Sequence, residues 1–313
     1  MMSRWPGPLR DAGLSTAPDR ESAPAGPADA ASRFQSLAGP ARGSLNRPVA
    51  APIIAVANQK GGVGKTTTSI NLAACLAALG RRVLLIDLDP QANATSGVGL
   101  EKTEGHSLYG PLLGEGTALD RIKPTPFERL AIIPSEVDLC GVELELGRFD
   151  DRLFRLRQLL DPVREQGVCD VVVLDCPPAL GLLTLNALAA TQHLIIPLQC
   201  EYYALEGIST IRRLLDQLKE GQINPSLHLL GVLMTMFDGR TRLSQQVVSE
   251  VREHFQGVVF DTVIPRTTRL AEAPSFGKPI IHYDPYSAAA AAYEIFAGEV
   301  SQRLGFPVEA RAA

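Results

Sequence analysis

A glycine-rich segment near residue 60 constrains the fold of this 313-residue chain more than any other feature. Residues 58–67 read Asn-Gln-Lys-Gly-Gly-Val-Gly-Lys-Thr-Thr, between an apolar run at 53–57 and an alanine-rich segment at 68–79. The apolar run predicts a buried strand, and the apolar spacing after the loop predicts a helix that ends at Gly80. A strand, a glycine loop and a helix in this order direct backbone N–H groups towards a phosphate chain. The segment therefore predicts a phosphate-binding loop.

The side chains of this loop supply candidates for nucleotide binding. Lys65 is placed to reach the β- and γ-phosphates, and Thr66 carries a hydroxyl that can bind Mg²⁺. The usual motif has glycine where this chain has Gln59, and an additional lysine, Lys60, stands five residues before Lys65. The competing interpretation is a glycine-rich turn that only joins a strand to a helix. The predicted phosphate-binding residues are Lys60, Gly61, Gly62, Val63, Gly64, Lys65, Thr66 and Thr67.

Short apolar runs alternate with helical patterns along the rest of the chain. Runs that are apolar on both faces are typical of a parallel sheet covered by helices. We therefore predict an α/β fold of the P-loop NTPase type: a doubly wound, mostly parallel sheet with helices on both faces and ligands at the carboxyl ends of its strands. The further predicted strands are 83–87, 130–133, 171–175, 194–197, 229–235 and 258–264, and the further predicted helices are 151–165, 182–190, 204–220, 242–255 and 286–304.

Composition divides the chain into three parts. Residues 1–50 are rich in Pro, Ala, Gly, Ser and Arg without a helical or strand period, which predicts a disordered extension. Residues 51–305 are predicted to form one nucleotide-binding domain, and residues 306–313 a short tail. The net charge of −4 gives no overall basic field, so any contact with nucleic acid must come from a local patch.

The cysteines and the hydropathy pattern predict the compartment. The five cysteines contain no C-x-x-C pair, which favours reduced thiols in a cytoplasmic protein. Cys140 and Cys176 are the cysteines nearest the predicted site, and we interpret both as small core residues. No apolar run reaches the roughly 18 residues of a membrane span, so no span is expected. No membrane partner is expected either, because the C-terminal segment lacks a basic amphipathic helix.

Aspartates stand at the ends of two predicted strands. Asp175 ends the run at 171–175 and is predicted to hold Mg²⁺ through its water shell. Asp87 ends the run at 83–87 and is a candidate near the metal, without direct contact. Asp89 follows two residues later, where it can orient the attacking water. The catalytic residues that this pattern predicts are Lys65 and Asp89. Any one aspartate at a strand end can instead serve in a turn or a cap.

Three of these segments resemble one family. Residues 60–67 look like the deviant Walker A motif of the ParA/MinD family of P-loop ATPases, residues 85–91 like its A′ motif and residues 172–178 like its B motif. Within that family, the similarity is to the ParA/Soj chromosome-partitioning branch, and it extends over residues 53–304. The segments that carry it are VLLIDLDPQANATSG, DCPPALGLLTLNAL, QCEYYALEG and VIPRTTRLAEAPSFGKPI.

The resemblance implies a slow, Mg²⁺-dependent ATPase that converts ATP to ADP. It implies that Lys60 is a further catalytic residue, the signature lysine, which reaches the partner's phosphates in an ATP-bound homodimer. It also identifies Asp89 as the aspartate needed for hydrolysis. It also places Pro265 and Thr267 near the nucleotide base. Relatives often read Asn-Val-Arg where this chain has Thr-Thr-Arg, a departure that bears on Thr267.

Arginines after two predicted strands suggest a DNA contact. The segments 237–242 and 264–269 carry four arginines, and Lys278 follows nearby. The resemblance aligns Arg240 and Arg269 with arginines that bind non-specific double-stranded DNA, and Arg266 is a further candidate. No base-reading motif is evident, so sequence-independent binding is expected. The resemblance also implies a ParB-like partner that accelerates hydrolysis, and a nucleoid-associated location.

Three alternatives remain at this point. A MinD-like, membrane-cycling ATPase that regulates division-site placement would need a basic amphipathic C-terminal helix, whereas residues 293–311 carry few cations and are interrupted by Pro307. A metabolic or iron–sulfur member of the superfamily would need thiolates placed for a bridging cluster. A partition ATPase that also represses transcription would need a DNA-reading domain within residues 1–50.

Overall fold

The computed structural model describes residues 50–201, 213, 216 and 218–307. In this part of the chain, one sheet of eight strands runs in the order β3-β4-β2-β5-β1-β6-β7-β8. Every neighbouring pair is parallel except β3 and β4, which are antiparallel. The strands are β1 (Ile53–Val56), β2 (Val83–Asp87), β3 (Lys123–Pro124), β4 (Leu130–Ile133), β5 (Val171–Asp175), β6 (His193–Gln199), β7 (His228–Phe237) and β8 (Val259–Pro265).

The predicted mostly parallel sheet is confirmed. All residues of β1, β2, β4 and β5 are buried, as expected for strands that are covered on both faces. The short strand β3 lacked a sequence signal, since it is two residues long and includes Pro124. It lies at the edge of the sheet, where a proline does not interrupt a hydrogen-bonded ladder on both sides.

Helices cover both faces of the sheet. The hydrophobic core on one face includes residues of α1 and α10, and the core on the other face includes residues of α5, α6 and α7. The described helices are α1 (Lys65–Ala78), α2 (Asn93–Gly97), α3 (Tyr109–Leu113), α4 (Val142–Leu146), α5 (Arg155–Glu165), α6 (Leu182–Ala190), α7 (Arg242–His254), α8 (Thr268–Glu272), α9 (Ile280–Tyr283) and α10 (Ala288–Arg303).

The long helices that the structure describes match their predictions, whereas the short helices were not predicted. Helix α1 begins at Lys65, three residues earlier than the apolar spacing indicated. Helices of four or five residues, such as α2 and α4, are too short to show a helical period. Most of the predicted extension 1–50, of the predicted tail 306–313 and of the predicted helix 204–220 lies outside the described residues.

The strand order determines which strand ends become neighbours. Strand β1, which leads into the glycine loop, lies between β5 and β6. Its last residue, Val56, pairs with Asp175, and Asp175 also pairs with Asp87 on β2. The glycine loop and both strand-terminal aspartates therefore meet at one edge of the sheet, as a doubly wound fold requires of a ligand site. Among the described helices, none has the length and apolar character needed to cross a membrane.

Candidate nucleotide site and basic surface

The glycine loop has a backbone conformation that residues other than glycine rarely adopt. Gly62 has φ of +74° and Gly64 has φ of +88°, in the left-handed region that favours glycine. Gly64 precedes helix α1, whose N-terminus has no side-chain cap. Residues 59–62 are exposed. The first N–H groups of α1 are therefore available to an anion at this loop.

Residues from two neighbouring strands hold the loop in place. The buried Thr235 hydroxyl at the end of β7 donates a hydrogen bond of 2.9 Å to the Val63 carbonyl. The Asn58 amide nitrogen donates to the Pro197 carbonyl on β6 at 2.7 Å, and its oxygen accepts from the Lys60 N–H at 3.0 Å. Neither role was predicted from the sequence. Asn58 stands within the recognised segment, but Thr235 has no signal beyond being polar near the end of an apolar strand.

Lys65 lies at the centre of the site with its ammonium turned onto the loop. Its side chain is buried, and Nζ donates to the Lys60 carbonyl at 3.1 Å. Burial lowers the pKa of Lys65, and the negative charge of Asp175 acts in the opposite direction. A buried cation beside an anion-binding loop is suited to the charge of a phosphate chain.

Asp175 is fully buried at the end of β5, beside the loop. Its Oδ1 accepts from the Ser69 hydroxyl at 2.8 Å, whereas its Oδ2 has no hydrogen-bond partner among the described residues. Burial, together with the charge of Asp87, raises the pKa of Asp175, and the hydrogen bond from Ser69 opposes that shift. An unpartnered buried carboxylate oxygen next to a hydroxyl fits hydrated Mg²⁺, which prefers oxygen ligands and keeps waters. The residues that would hold it are Thr66 and, through water, Asp175; bound there, Mg²⁺ would neutralise charge on phosphate oxygens.

Asp87 has a different set of contacts. Its Oδ2 accepts from the Thr95 N–H at 2.8 Å and the Thr95 hydroxyl at 2.7 Å, and its Oδ1 accepts from the Asp89 N–H at 3.1 Å. Burial raises the pKa of Asp87, and the Thr95 hydrogen bonds oppose the shift. The carboxylate thus supports the loop from Asp87 to Thr95, and its predicted place near the metal stays a prediction.

Asp89 lies in that supported loop. Its side chain is buried, and Oδ1 accepts from the Gln91 N–H at 2.9 Å. Its negative charge also acts on Lys65 and on Asp175. The structure therefore brings the predicted catalytic aspartate into the electrostatic environment of the phosphate loop.

A cavity of about 280 Å³ adjoins the loop on the side of β7 and β8. Pro265 and Thr267 line it, together with Gly64 and Thr67 of the loop, so the four predicted residues share one space. The Thr267 side chain also accepts a hydrogen bond from the Arg269 N–H and thereby caps the N-terminus of helix α8. The cavity's remaining lining residues are Thr235, Met236, Ile264, Arg266, Leu270, Ala271 and Tyr293.

The predicted DNA-contact arginines lie near each other, at the ends of β7 and β8. Phe237 pairs with Pro265, and the Arg266 N–H donates to the Phe237 carbonyl at 2.9 Å. Arg240 is 90% exposed and donates to both carboxylate oxygens of Asp238, at 2.9 and 2.8 Å.

Arg269 is also paired within the chain. It forms ion pairs of 3.3 Å with Glu272 and with Asp284. The surface therefore contains carboxylates beside its arginines. These carboxylates were not part of the predicted basic patch. Its cations are partly neutralised in this subunit.

The interpretation of the two cysteines is right for one and wrong for the other. Cys176 is buried behind Asp175, and burial raises the pKa of its thiol. Cys140 is exposed. It ends a short 3₁₀ turn, Val137–Cys140, in which the neighbouring Leu139 supplies the buried side chain.

Comparisons with known proteins agree with this geometry. A family model described as an AAA domain matches residues 51–229. The sporulation initiation inhibitor protein Soj of Bacillus subtilis (strain 168) is 51% identical over 250 residues, which cover 80% of this chain and 98% of Soj. The chromosome partitioning protein ParA of Caulobacter vibrioides (strain NA1000 / CB15N) is 48% identical over 252 residues, covering 80% of this chain and 94% of that ParA.

The chain belongs to the ParA/Soj family of chromosome-partitioning ATPases. The predicted resemblance is thereby confirmed, as is the fold. A solved structure of cobyrinic acid a,c-diamide synthase from Mycobacterium smegmatis with bound ADP and magnesium has a TM-score of 0.71 and 35% identity. It covers 83% of this ParA/Soj-family chain, which in turn covers 99% of the synthase. The ligands of that structure match the cofactors predicted here, ATP or ADP with Mg²⁺.

Proposed function

We propose that this ParA/Soj-family ATPase segregates DNA by cycling between an ATP-bound homodimer that holds DNA and separate subunits that do not. The observation that carries the proposal is the position of two groups of cations at one edge of the sheet. Lys60 and Lys65 follow β1, and the arginines follow β7 and β8. Strand β8 is the third strand from β1 in the sheet. One ligand-dependent rearrangement at this edge can therefore affect both groups.

The nucleotide chemistry rests on residues with distinct tasks. The N–H groups of the loop and the Lys65 ammonium bind the phosphate chain of ATP, in the presence of Mg²⁺. Asp89 orients the attacking water by accepting one of its protons in a hydrogen bond. Asp87 supports this arrangement, because its carboxylate holds the Asp89 N–H. The largely apolar lining around Pro265 suits the base.

Lys60 supports a dimer. Its side chain is 50% exposed, and its ammonium nitrogen lies 2.9 Å from a carboxylate oxygen of Glu201. A second lysine adds little to the binding of one triphosphate, because Lys65 already contacts the phosphates. The attraction of Lys60 for phosphate is greater when a second triphosphate, bound by another subunit, brings additional negative charge. Lys60→Ala is therefore expected to leave a monomer that retains its nucleotide loop.

Dimerisation also supports DNA binding. One subunit presents few cations for phosphate contacts, and those of Arg240 and Arg269 are shared with its own carboxylates. Joining two such surfaces makes the second contact intramolecular and strengthens binding steeply. Because each phosphate contact releases counterions, the affinity falls with salt. This combination makes non-specific DNA binding dependent on ATP.

The decisive experiment measures DNA binding and ATP turnover together. A gel shift across a salt series is expected to show binding with a non-hydrolysable ATP analogue and little binding with ADP, with affinity lost in Arg240→Ala. Turnover is expected to rise when DNA and a ParB-like partner are both present. Binding that is indifferent to nucleotide contradicts the proposal. A fluorescent fusion that follows the nucleoid in cells would support the proposed location.

The MinD-like alternative makes a different prediction about lipid. Helix α10 carries one Lys or Arg among its residues, Arg303, and that guanidinium donates to the carbonyls of Leu230 and Val259 at 2.7 and 3.0 Å. The helix therefore lacks the basic face that an interfacial helix needs. Sedimentation with anionic liposomes distinguishes the two functions, and ATP-dependent lipid binding would favour the alternative.

A further inference from the structure

Glu201 contacts the ammonium group of Lys60, although 141 positions separate the two residues. The carboxylate follows the end of β6, and the lysine follows the end of β1, the neighbouring strand. Their Nζ and Oε2 atoms are 2.9 Å apart, with both side chains about half exposed. The contact joins the phosphate loop to a strand that carries none of the predicted phosphate-binding residues.

Both ends of this contact are fixed by other hydrogen bonds. The Lys60 N–H donates to Asn58, whose amide donates in turn to Pro197 on β6. On the other side, Gln199 donates to Glu201 Oε1 at 2.5 Å, and the Cys200 N–H donates to the Thr235 carbonyl at 3.1 Å. The Thr235 hydroxyl in turn holds the phosphate loop through the Val63 carbonyl. Hydrogen bonds on both sides therefore hold Lys60 and Glu201 close to each other.

The charge balance makes the contact reversible. Ion pairs between exposed side chains shift an equilibrium by no more than about fivefold, because water competes for both partners. A triphosphate carries several negative charges and lies in a more enclosed site, where the attraction for an ammonium is stronger. A nearby triphosphate can therefore take Lys60 from Glu201.

We infer that Glu201 is a positioning residue for Lys60: its carboxylate keeps the ammonium on its own subunit until a triphosphate displaces it, and so sets how readily two subunits close. The inference rests on the proposed function for the closing step. The restraint itself belongs to the nucleotide-free subunit. The two parts can therefore be tested separately.

The first experiment measures the restraint without nucleotide. Lysine acylation rates are followed by peptide mass spectrometry in wild-type protein and in Glu201→Gln, with Lys123 and Lys278 as internal references. The Lys60 rate is expected to rise about 1.4- to 5-fold in the variant, the range for losing an exposed ion pair. Glu165→Gln, which removes the same charge near the amino end of β5, is expected to leave the Lys60 rate unchanged.

The second experiment measures closure. Sedimentation over a protein concentration series with a non-hydrolysable ATP analogue gives the midpoint of dimerisation. Glu201→Gln is expected to lower that midpoint by the square of the single-subunit factor, about 2- to 25-fold, because each dimer releases two Lys60 side chains. Glu201→Asp, which keeps the charge, is expected to remain closer to wild type. In the Lys60→Ala background, adding Glu201→Gln is expected to change neither nucleotide binding nor association.

The outcomes separate the inference from the proposed function. Equal Lys60 acylation rates in wild type and Glu201→Gln overturn the inference, whether or not dimers form. A dimerisation midpoint that stays the same or rises in Glu201→Gln also overturns it. Wild-type protein that remains a single subunit with the analogue overturns the proposed dimer, while the acylation rates still decide whether Glu201 restrains Lys60.

Discussion

Thr235→Val tests whether a strand outside the sequence motifs holds the phosphate loop. The change replaces a hydroxyl by a methyl group of nearly the same size, at a residue that is 3% exposed. It removes the 2.9 Å hydrogen bond to the Val63 carbonyl and leaves that carbonyl inside the protein without its donor. Val63 is itself 1% exposed, so water cannot easily replace the lost bond.

The expected loss follows from that unsatisfied carbonyl. Leaving a buried acceptor unpaired costs roughly 1–3 kcal/mol of the free energy of unfolding. For a domain of this size, that corresponds to a fall in Tm of about 2–12 °C. The affinity for ATP is expected to fall as well, because Val63 lies between the two glycines whose backbone forms the phosphate cradle. Thr235→Ser keeps the hydroxyl and is expected to retain most of the affinity.

Thr191→Val provides a matched control. Thr191 is fully buried, and in the described part of the chain its hydroxyl has no hydrogen-bond partner. The same chemical change there removes an unsatisfied polar group, so the free energy of unfolding is expected to stay equal or to rise by up to about 1 kcal/mol. Thermal unfolding by circular dichroism without nucleotide, followed by a nucleotide titration, measures both effects. If the two variants lose the same stability, or if Thr235→Val binds ATP as wild type does, Thr235 does not hold the loop.

Three further changes probe the nucleotide and DNA steps. Asp89→Ala is expected to bind ATP, to reduce turnover by at least about 100-fold and to accumulate dimers in sedimentation; normal turnover would remove Asp89 from the mechanism. Lys65→Ala is expected to abolish nucleotide binding by calorimetry, and retention of wild-type affinity would contradict its role. Arg240 lowers the pKa of Asp238 to about 2, so Asp238 is ionised at neutral pH. Asp238→Asn is therefore expected to strengthen DNA binding several-fold at low salt, with the gain shrinking as salt rises. A gel shift showing weaker binding would refute this.

Much of the site was predictable because its signals are local in the sequence. The glycine loop lies between a strand and a helix over about 25 residues, and the strand-terminal positions of Asp87 and Asp175 can be read from the apolar runs before them. The structure confirms that these strand ends meet at one edge, since a parallel sheet aligns its carboxyl ends.

Other features depend on which strands become neighbours. Thr235 meets Val63 across 172 positions, and Glu201 meets Lys60 across 141, because β6 and β7 follow β1 in the sheet. Before the strand order is known, a threonine and a glutamate at these positions look like any other polar residue at a strand end.

The carboxylates of the basic surface and the exposure of Cys140 were also not predictable from the sequence pattern. Arg240 and Arg269 were predicted from their spacing and the resemblance. Their pairing with carboxylates depends on the local fold of the segment after β7, of α8 and of the residue after α9. Cys140 lies in a turn of four residues, too short for any period to distinguish its exposed side from its buried one. Local pattern thus determined the phosphate loop, the strands and the family, because these depend on residues close together in the chain. Tertiary packing alone decided what restrains the loop and its lysine, because those contacts join residues far apart in the chain.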